Sequence, residues 1–422
     1  MGIHVDRFFR FESTTPRDGL LYGDTDFFDG SHWMKILMLA PGSWIHSERT
    51  LNCLLENGQE VTLVDSNNPY PEGRKGFKFI RYPRTGIRHY KGFIGSRISD
   101  QLSLWLSVSQ LNLLWRRLRP DVVHVCWLDF RAYHCLRAGL KPLVLSVWGT
   151  DINANLLPGT DPVEVRIASR TLAGADLTIV DAPDMSKKCA LLAGRDITTE
   201  HLHLGVNTKI FRPGYSEAAM EWRRQLKIPQ DAKVILSIRA LSSIYNHHLI
   251  LDAFAQALMR VQTDTFLVFK LYNVLEPSYE TELRRKAENL GIKNFVRWIG
   301  DVSFARLPEI YALADVIINY PSMDAFPVTF MEAAACERPV ITCSLPSYLG
   351  SFAEKYFRMI EPENIRALAD AIVEFIRDSP AETDRNNVHL VAARRKVEKE
   401  FDESVFARRL INIYEKLSYC AG

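Results

Sequence analysis

Residues 314–343, ADVIINYPSMDAFPVTFMEAAACERPVITC, constrain the fold more than any other stretch of the chain. Val316, Ile317 and Ile318 form an apolar run short enough for a buried strand. A polar corner follows, Pro321-Ser322-Met323-Asp324. Pro327 suits the first turn of a helix, where its missing N–H costs nothing. From 328 to 337 the Ala, Met and Glu content favours helix. Pro339 stops it, and 339–343 reads as the next strand. Strand, helix and strand in this order commit the chain to a parallel sheet. Ligands of such sheets sit at the carboxyl ends of the strands, beside helix N-termini. Asp324 lies at that end, and Glu332 one to two turns into the helix. Two carboxylates there can accept hydrogen bonds from a polyol, while the helix N-terminus favours an anion. With no ligand in view, the plainer reading makes Asp324 a helix cap and Glu332 a solvated surface residue.

The same alternation recurs along the chain. Strands are expected at 35–40, 60–64, 121–127, 143–148, 176–180 and 200–204. The first runs into a turn at Gly42 and a helix ending near Asn57-Gly58, though G-x-G-x-x-G is absent. Residues 99–118 read as an amphipathic helix of core-packing type. Gly205, Asn207 and Pro213-Gly214 mark an irregular crossing. A second series follows, with strands at 233–238, 265–271 and 295–299 and helices at 247–259 and 279–290. The tail, 365–417, reads as helices only, amphipathic over 393–414. The expected fold class is therefore α/β, two doubly wound Rossmann-like domains facing across a cleft, where a ligand would sit. The expected divisions are an N-terminal extension 1–33, a first domain 34–207, a linker 208–228, a second domain 229–395 and a final segment 396–422.

Composition narrows the partners. A length of 422 residues allows two domains. A formal net charge of +2 gives no sign of nucleic acid as a partner. Seven cysteines include no C-x-x-C pair, which argues against structural zinc and fits a reducing cytoplasm. No apolar run is long enough to span a bilayer, and the start has no signal-peptide core. Residues 70–97 depart from this balance. Arg74, Lys75, Lys78, Arg81, Arg84, Arg88, Lys91 and Arg97 are opposed only by Glu72, with Tyr82, Tyr90, Phe93 and Ile94 interleaved. Such a loop suits an anionic acceptor or a peripheral membrane contact; the alternative is a solvated loop.

Four stretches, in order, resemble the family 4 glycosyltransferases of the GT-B fold. They are PDVVHV at 120–125 with SVWGTDI at 146–152, HLGVNTKIFRP at 203–213, the strand ending at Arg239, and DAFPVTFMEAAACERPVI at 324–341. The last corresponds to the family's E-x7-E signature, with Asp324 in the first position. The resemblance implies transfer of a sugar from a UDP- or GDP-linked donor to a hydroxyl of a saccharide or lipid-linked acceptor. It implies retention of configuration, no metal and no bound cofactor, and a role in cell-envelope polysaccharide or glycolipid synthesis. It also implies that the final helix returns to the first domain.

By the same resemblance, Glu332 takes the ribose hydroxyls, Asp324 the donor sugar, and Arg239 the diphosphate. Gly42 lets the backbone approach the distal phosphate, and Phe326 and Val328 flank the donor. His46, Trp148 and Asp151 are acceptor-side candidates. The chemistry agrees, because a departing diphosphate gains charge that a guanidinium fork can hold bidentately. The departures are specific. Tyr245-Asn246 replaces the family's second phosphate cation, a lysine, so Tyr245 becomes a donor-site candidate. Trp148 replaces a histidine, Pro327 a glycine, Tyr272-Asn273 a glycine-rich turn and Asp324 a glutamate. Two rival readings are an inactive, binding-only relative and a GT-B nucleotide-sugar epimerase.

Overall fold

In the first part of the chain, short runs of Val, Ile and Leu form strands β1 (Lys35–Leu39), β2 (Glu60–Asp65), β3 (Lys78–Arg81), β4 (Val122–Cys126), β5 (Leu143–Ser146), β6 (Leu177–Val180) and β7 (Thr199–His201). They lie in the order β3-β2-β1-β4-β5-β6-β7, every neighbouring pair parallel. Strands are added outward from β1 on one side and from β4 on the other, so the order reverses between these two. β4 and β5 are buried along their whole length, as expected where crossover helices cover both faces of a parallel sheet. This computed structural model describes residues 33–41, 44–65, 76–82, 94–271, 277–377 and 380–421.

The second series gives β8 (Lys233–Ser237), β9 (Thr265–Lys270), β10 (Val296–Ile299), β11 (Val316–Asn319), β12 (Val340–Cys343) and β13 (Arg358–Ile360). Their order is β10-β9-β8-β11-β12-β13, again all parallel. Here the reversal falls between β8 and β11. In doubly wound sheets this is where a crevice opens at the carboxyl ends of the strands. The edge strands β3 and β13 were not in the sequence reading; at three or four residues each, they are too short to show a period.

The chain divides into two compact units. One runs through Leu204 and takes in the end of the chain from Phe406; the other is Gly205–Val405. The expected linker 208–228 is not a linker. Helix Ser216–Gln225 belongs to the second unit, where Trp222 Nε1 donates to Glu309 at 2.9 Å and Arg223 pairs with Asp315 at 3.3 Å.

The amphipathic run 393–414 is not one helix either. Helices Pro380–Glu400 and Glu403–Ala421 are separated at Phe401-Asp402. Asp402 Oδ1 accepts from Ser404 N–H at 2.9 Å, capping the second helix. Its Oδ2 accepts from the Thr208 hydroxyl at 2.6 Å. So 396–400 stay with the second unit, and the last helix packs in the first. There Phe406, Leu410, Ile411 and Tyr414 join Ile36, Met38, Val61 and Leu63 in one core. Tyr414 Oη meets His124 Nδ1 at 2.6 Å, and His124 Nε2 meets Ser146 Oγ at 2.7 Å. Burial lowers the His124 pKa to about 3, so this link is made by a neutral imidazole.

Of the basic stretch 70–97, residues 78–81 form β3 and 94–97 begin helix Ile94–Leu118, so it is not loop throughout. Residues 70–75 and 83–93, the extension 1–32, Gly42 and Tyr272-Asn273 lie outside the described residues. Among the described residues, no helix is long and apolar enough to cross a membrane.

Candidate active site

At the reversal point of the second sheet, β8 and β11 run side by side, with Ile235 opposite Val316 and Leu236 opposite Ile317. The chain leaves β8 as Ile238-Arg239 and leaves β11 through the corner that carries Asp324. Register therefore brings together two side chains 85 positions apart. Arg239 Nη2 lies 2.9 Å from Asp324 Oδ2, and both side chains are 12% exposed. Asp324 Oδ2 also accepts from Tyr348 O–H at 2.8 Å, and Tyr348 Oη accepts from Asn319 Nδ2 at 3.2 Å. Asp324 Oδ1 accepts from Ala325 N–H at 3.0 Å. One carboxylate is thus fixed from three directions.

Tyr245, the donor-site candidate in place of the family's lysine, has its ring against the Arg239 guanidinium, 4.3 Å from Cζ to the ring centroid, and its hydroxyl also bonds to the arginine. That contact favours a cation held flat and at fixed position. Arg239 Nη1 is 3.5 Å from Thr329 Oγ1, in the first turn of helix Val328–Ala335. Burial opposes the arginine's charge, but Asp324 and the oxygens of Tyr245 and Tyr348 together outweigh it and hold the pKa above the ordinary arginine value. Burial and the Asp324 charge push the Tyr348 pKa well up, which keeps its hydroxyl a donor.

Glu332 is not a solvated surface residue. It is 4% exposed and accepts from Tyr311 O–H at 2.6 Å. A buried carboxylate needs partners, and a second lies close by. Lys270, the last residue of β9, is 3% exposed. Burial lowers its pKa, while Asp301 and Glu332 pull the other way. Sequence reasoning missed this lysine. The available signal was a cation ending an otherwise apolar strand, TFLVFK, next to the strand that leads to Arg239.

Phe326, the donor-side candidate, is buried. It is 5% exposed and packs edge-on against Phe330 at 5.7 Å between ring centroids. Val328, partly exposed, opens helix Val328–Ala335 behind Pro327.

In the first unit, His46 and Trp148 come together, with ring centroids 4.9 Å apart. Asp151 does not reach outward as an acceptor contact would. It is 4% exposed, and its oxygens accept from the backbone N–H groups of Trp148 at 3.1 Å and Leu128 at 3.0 Å. Desolvation raises its pKa to about 6, against the pull of these backbone bonds. Trp44 and Trp127, which the sequence reading did not single out, complete an aromatic group with Trp148.

Fold and site together define a protein of two parallel Rossmann-like α/β units with a charged constellation at the reversal point of the second. Two family models match in tandem: "Glycosyl transferase 4-like" over residues 35–181 and "Glycosyl transferases group 1" over 219–389. The chain belongs to this glycosyltransferase family, with the GT-B architecture. It is 28% identical over 177 residues to a D-inositol 3-phosphate glycosyltransferase of Corynebacterium urealyticum, matching 41% of this chain and 42% of the relative. It is 22% identical over 287 residues to a GDP-mannose-dependent monoacylated alpha-(1-6)-phosphatidylinositol monomannoside mannosyltransferase of Corynebacterium glutamicum, covering 66% of this chain and 71% of that one. The match spans less than half the length of the Corynebacterium urealyticum protein and of two further inositol-phosphate relatives, from Catenulispora acidiphila and Streptosporangium roseum. The crystal structure of Anabaena HepE in complex with UDP and glucose superposes with a TM-score of 0.71 at 17% identity, covering 91% of this chain and 100% of that one.

Proposed function

We propose that the protein transfers a sugar from a nucleotide sugar to a hydroxyl of a saccharide or lipid-linked acceptor, with retention and without a metal ion. The observation that carries this reading is the Arg239 guanidinium, 4.3 Å from the Tyr245 ring centroid and 2.9 Å from Asp324, at the carboxyl ends of β8 and β11. When the glycosidic bond of the donor breaks, negative charge moves onto the diphosphate. A preorganised cation aimed at that charge lowers the barrier without reorganising during the reaction. The second edge of the fork lies toward Thr329 at a helix N-terminus, which adds favourable dipole. Asp324, its orientation fixed by Tyr348, can accept hydroxyls of the donor sugar. Glu332, already taking one hydroxyl hydrogen from Tyr311, is of the right kind for a ribose diol.

The ligands of the relatives support a UDP- or GDP-linked donor: HepE holds UDP and glucose, and the mannosyltransferase is GDP-mannose-dependent. The latter's phosphatidylinositol monomannoside supports a glycolipid acceptor in envelope synthesis, with a cytoplasmic site and the basic stretch 70–97 meeting a membrane surface.

Thermal shift with UDP, GDP, UDP-glucose and GDP-mannose tests the reading. A nucleotide present at 100 times its dissociation constant adds about 2.7 kcal/mol to the stability of the state that binds it. A selective rise in melting temperature for one base is expected. The anomeric coupling in the product's proton spectrum then reports retention, and turnover in EDTA reports metal independence. No shift with any of the four nucleotides would remove the donor assignment.

A further inference from the structure

We propose that Lys270 is a positioning residue of the second unit: its ammonium fixes the Glu332 carboxylate, and through that carboxylate the two hydroxyls of the nucleotide's ribose. The ribose rests on the donor reading above; the Lys270–Glu332 couple rests on three observations of its own.

Placement is the first. β9 lies inside the second sheet, between β8 and β10. All six of its residues are buried, and Lys270 is the last of them. On one side Lys270 stands opposite Ile299, two positions before Asp301. On the other, Phe269 stands opposite Ser237, two positions before Arg239. Two adjacent inner strands therefore each lead to a cation at the carboxyl edge of the sheet, where sheets of this type bind ligands. A buried lysine carries a desolvation cost that an apolar residue at the same strand end would avoid, unless a carboxylate offsets it.

The second observation is the cluster around it. Lys270 is 3% exposed and Glu332 4%. Burial works against the ammonium, while Asp301 and Glu332 support its charge. Asp301 is exposed and open to hydration; Glu332 is buried and depends on protein partners. One of these is Tyr311, whose O–H donates to Glu332 Oε2 at 2.6 Å. Tyr311 is itself fully buried and meets Phe211 edge-on at 5.8 Å between ring centroids. The carboxylate thus lies between an immobilised neutral donor and a cation.

The third is the pattern that the charged groups make. Arg239 with Asp324, and Lys270 with Glu332, are two buried cation–carboxylate couples. In each, the cation comes from the end of an inner strand. In each, the carboxylate comes from one continuous segment, the corner at 324 and the helix Val328–Ala335 that follows it. Charge is balanced within each couple, so the arginine stays available to one carboxylate and the lysine to the other.

The chemistry follows from counting lone pairs. A carboxylate offers about four acceptor positions. Tyr311 takes one and the ammonium another, which leaves about two, in fixed directions, for the hydrogens of a vicinal diol. Lysine has three donors and no acceptor, so it cannot take those hydrogens itself. It acts on the ribose through Glu332. The other use of an ammonium here is direct contact with phosphate, and the test separates the two.

The full chain is titrated by calorimetry with whichever of UDP and GDP raises its melting temperature, with the 2′,3′-dideoxy form of that nucleotide and with its free nucleoside. Lys270→Met should weaken the nucleotide roughly tenfold or more, the loss of one bond to a charged group. Lys270→Arg should recover part, since the charge stays and its position changes; should Lys270→Met not fold, Lys270→Arg carries the same comparison. The dideoxy form should lose no more than about twofold in either variant, because the hydroxyls through which Lys270 acts are gone. The nucleoside should lose as much as the diphosphate. Equal losses for the ribo and dideoxy forms overturn the proposal. A loss that vanishes with the nucleoside overturns it in favour of direct phosphate contact. A second measurement needs no nucleotide: melting temperatures of the parent, Lys270→Met, Glu332→Gln and the double variant. The double variant should fall by less than the sum of the two single changes; strict additivity overturns the couple. If no nucleotide binds the parent but the melting temperatures are non-additive, the donor reading and the ribose assignment fail together and the Lys270–Glu332 couple stands.

Discussion

Arg239 and Asp324 meet at 2.9 Å, one leaving β8 and the other leaving β11, on either side of the point where the second sheet reverses its strand order. Each is the other's counter-ion, and each is also anchored separately: the arginine on the Tyr245 ring, the carboxylate by Tyr348 and Ala325. Removing one partner of a pair this buried leaves an uncompensated charge. Arg239→Ala should therefore lower kcat by ~10²–10³ or more, the usual loss when a donor aimed at developing charge is deleted. Arg239→Lys should recover only part of this, since an ammonium cannot face Asp324 and a diphosphate with one planar fork. Steady-state kinetics on the donor identified by thermal shift gives the order; near-parental kcat in Arg239→Ala would place the leaving-group cation elsewhere.

Tyr245 meets Arg239 through its ring face and through its hydroxyl, and two variants separate these contributions. Tyr245→Phe keeps the π-face against Arg239, so kcat should fall by roughly twofold to tenfold, the range of a single neutral hydrogen bond of about 0.5–1.5 kcal/mol. Tyr245→Leu removes the face and should cost ~0.5–2 kcal/mol, up to roughly thirtyfold in rate. Equal rates for the two variants would mean that the stacking contact does not position the guanidinium.

Glu332 is buried with Tyr311 on one oxygen and Lys270 close enough to feel its charge. Glu332→Gln keeps the shape but loses the charge-assisted bonds, so the affinity for the free nucleotide should fall by about 1.5–3 kcal/mol. Tyr311→Phe leaves the carboxylate charged but less firmly oriented, and the loss should be smaller. Calorimetry ranks the two; an unchanged dissociation constant in Glu332→Gln would remove the glutamate from the nucleotide site.

All strands but the short β3 and β13 were readable because buried parallel strands are short apolar runs, and KILML, VVHVC and KVILS are such runs. Arg239 and Asp324 were readable through strand ends and motif spacing. Their pairing was not, because it depends on β8 lying beside β11, which no local pattern encodes. Glu332 was misjudged in isolation: an AAA-rich helix looks solvated or buried according to what covers it, here Tyr311. The break at Phe401-Asp402 escaped notice because an amphipathic period runs through it; a cap bond from Asp402 to Ser404, with Thr208 behind it, overrides that period. Trp44 and Trp127 escaped for the reason that hid Lys270: they are far apart in sequence, and only topology gathers them.

The last prediction concerns pH. Burial lowers the pKa of His124 and His203 to about 3 and of His134 and His247 to about 4. These rings stay neutral in the fold but protonate below about 6.5 once unfolded, so their contribution is complete above that pH and is lost as pH falls toward 4. Asp151 runs the other way. Its pKa rises from 3.8 to about 6 on burial, so the folded state holds a proton that the unfolded state has released. Its ionisation costs nothing below pH 3.8 and progressively destabilises the fold as pH rises to about 6, by on the order of 3 kcal/mol in all. Asp151→Asn cannot ionise. It also loses one of the two oxygens that accept from backbone N–H groups, a cost that does not vary with pH. The melting-temperature gap between Asp151→Asn and the parent should therefore shift in favour of the variant between pH 4 and pH 7, with the histidine effect common to both proteins and cancelling. A gap that is constant across this range would mean that Asp151 ionises in the fold as easily as in water, and that its two backbone bonds compensate fully for its burial.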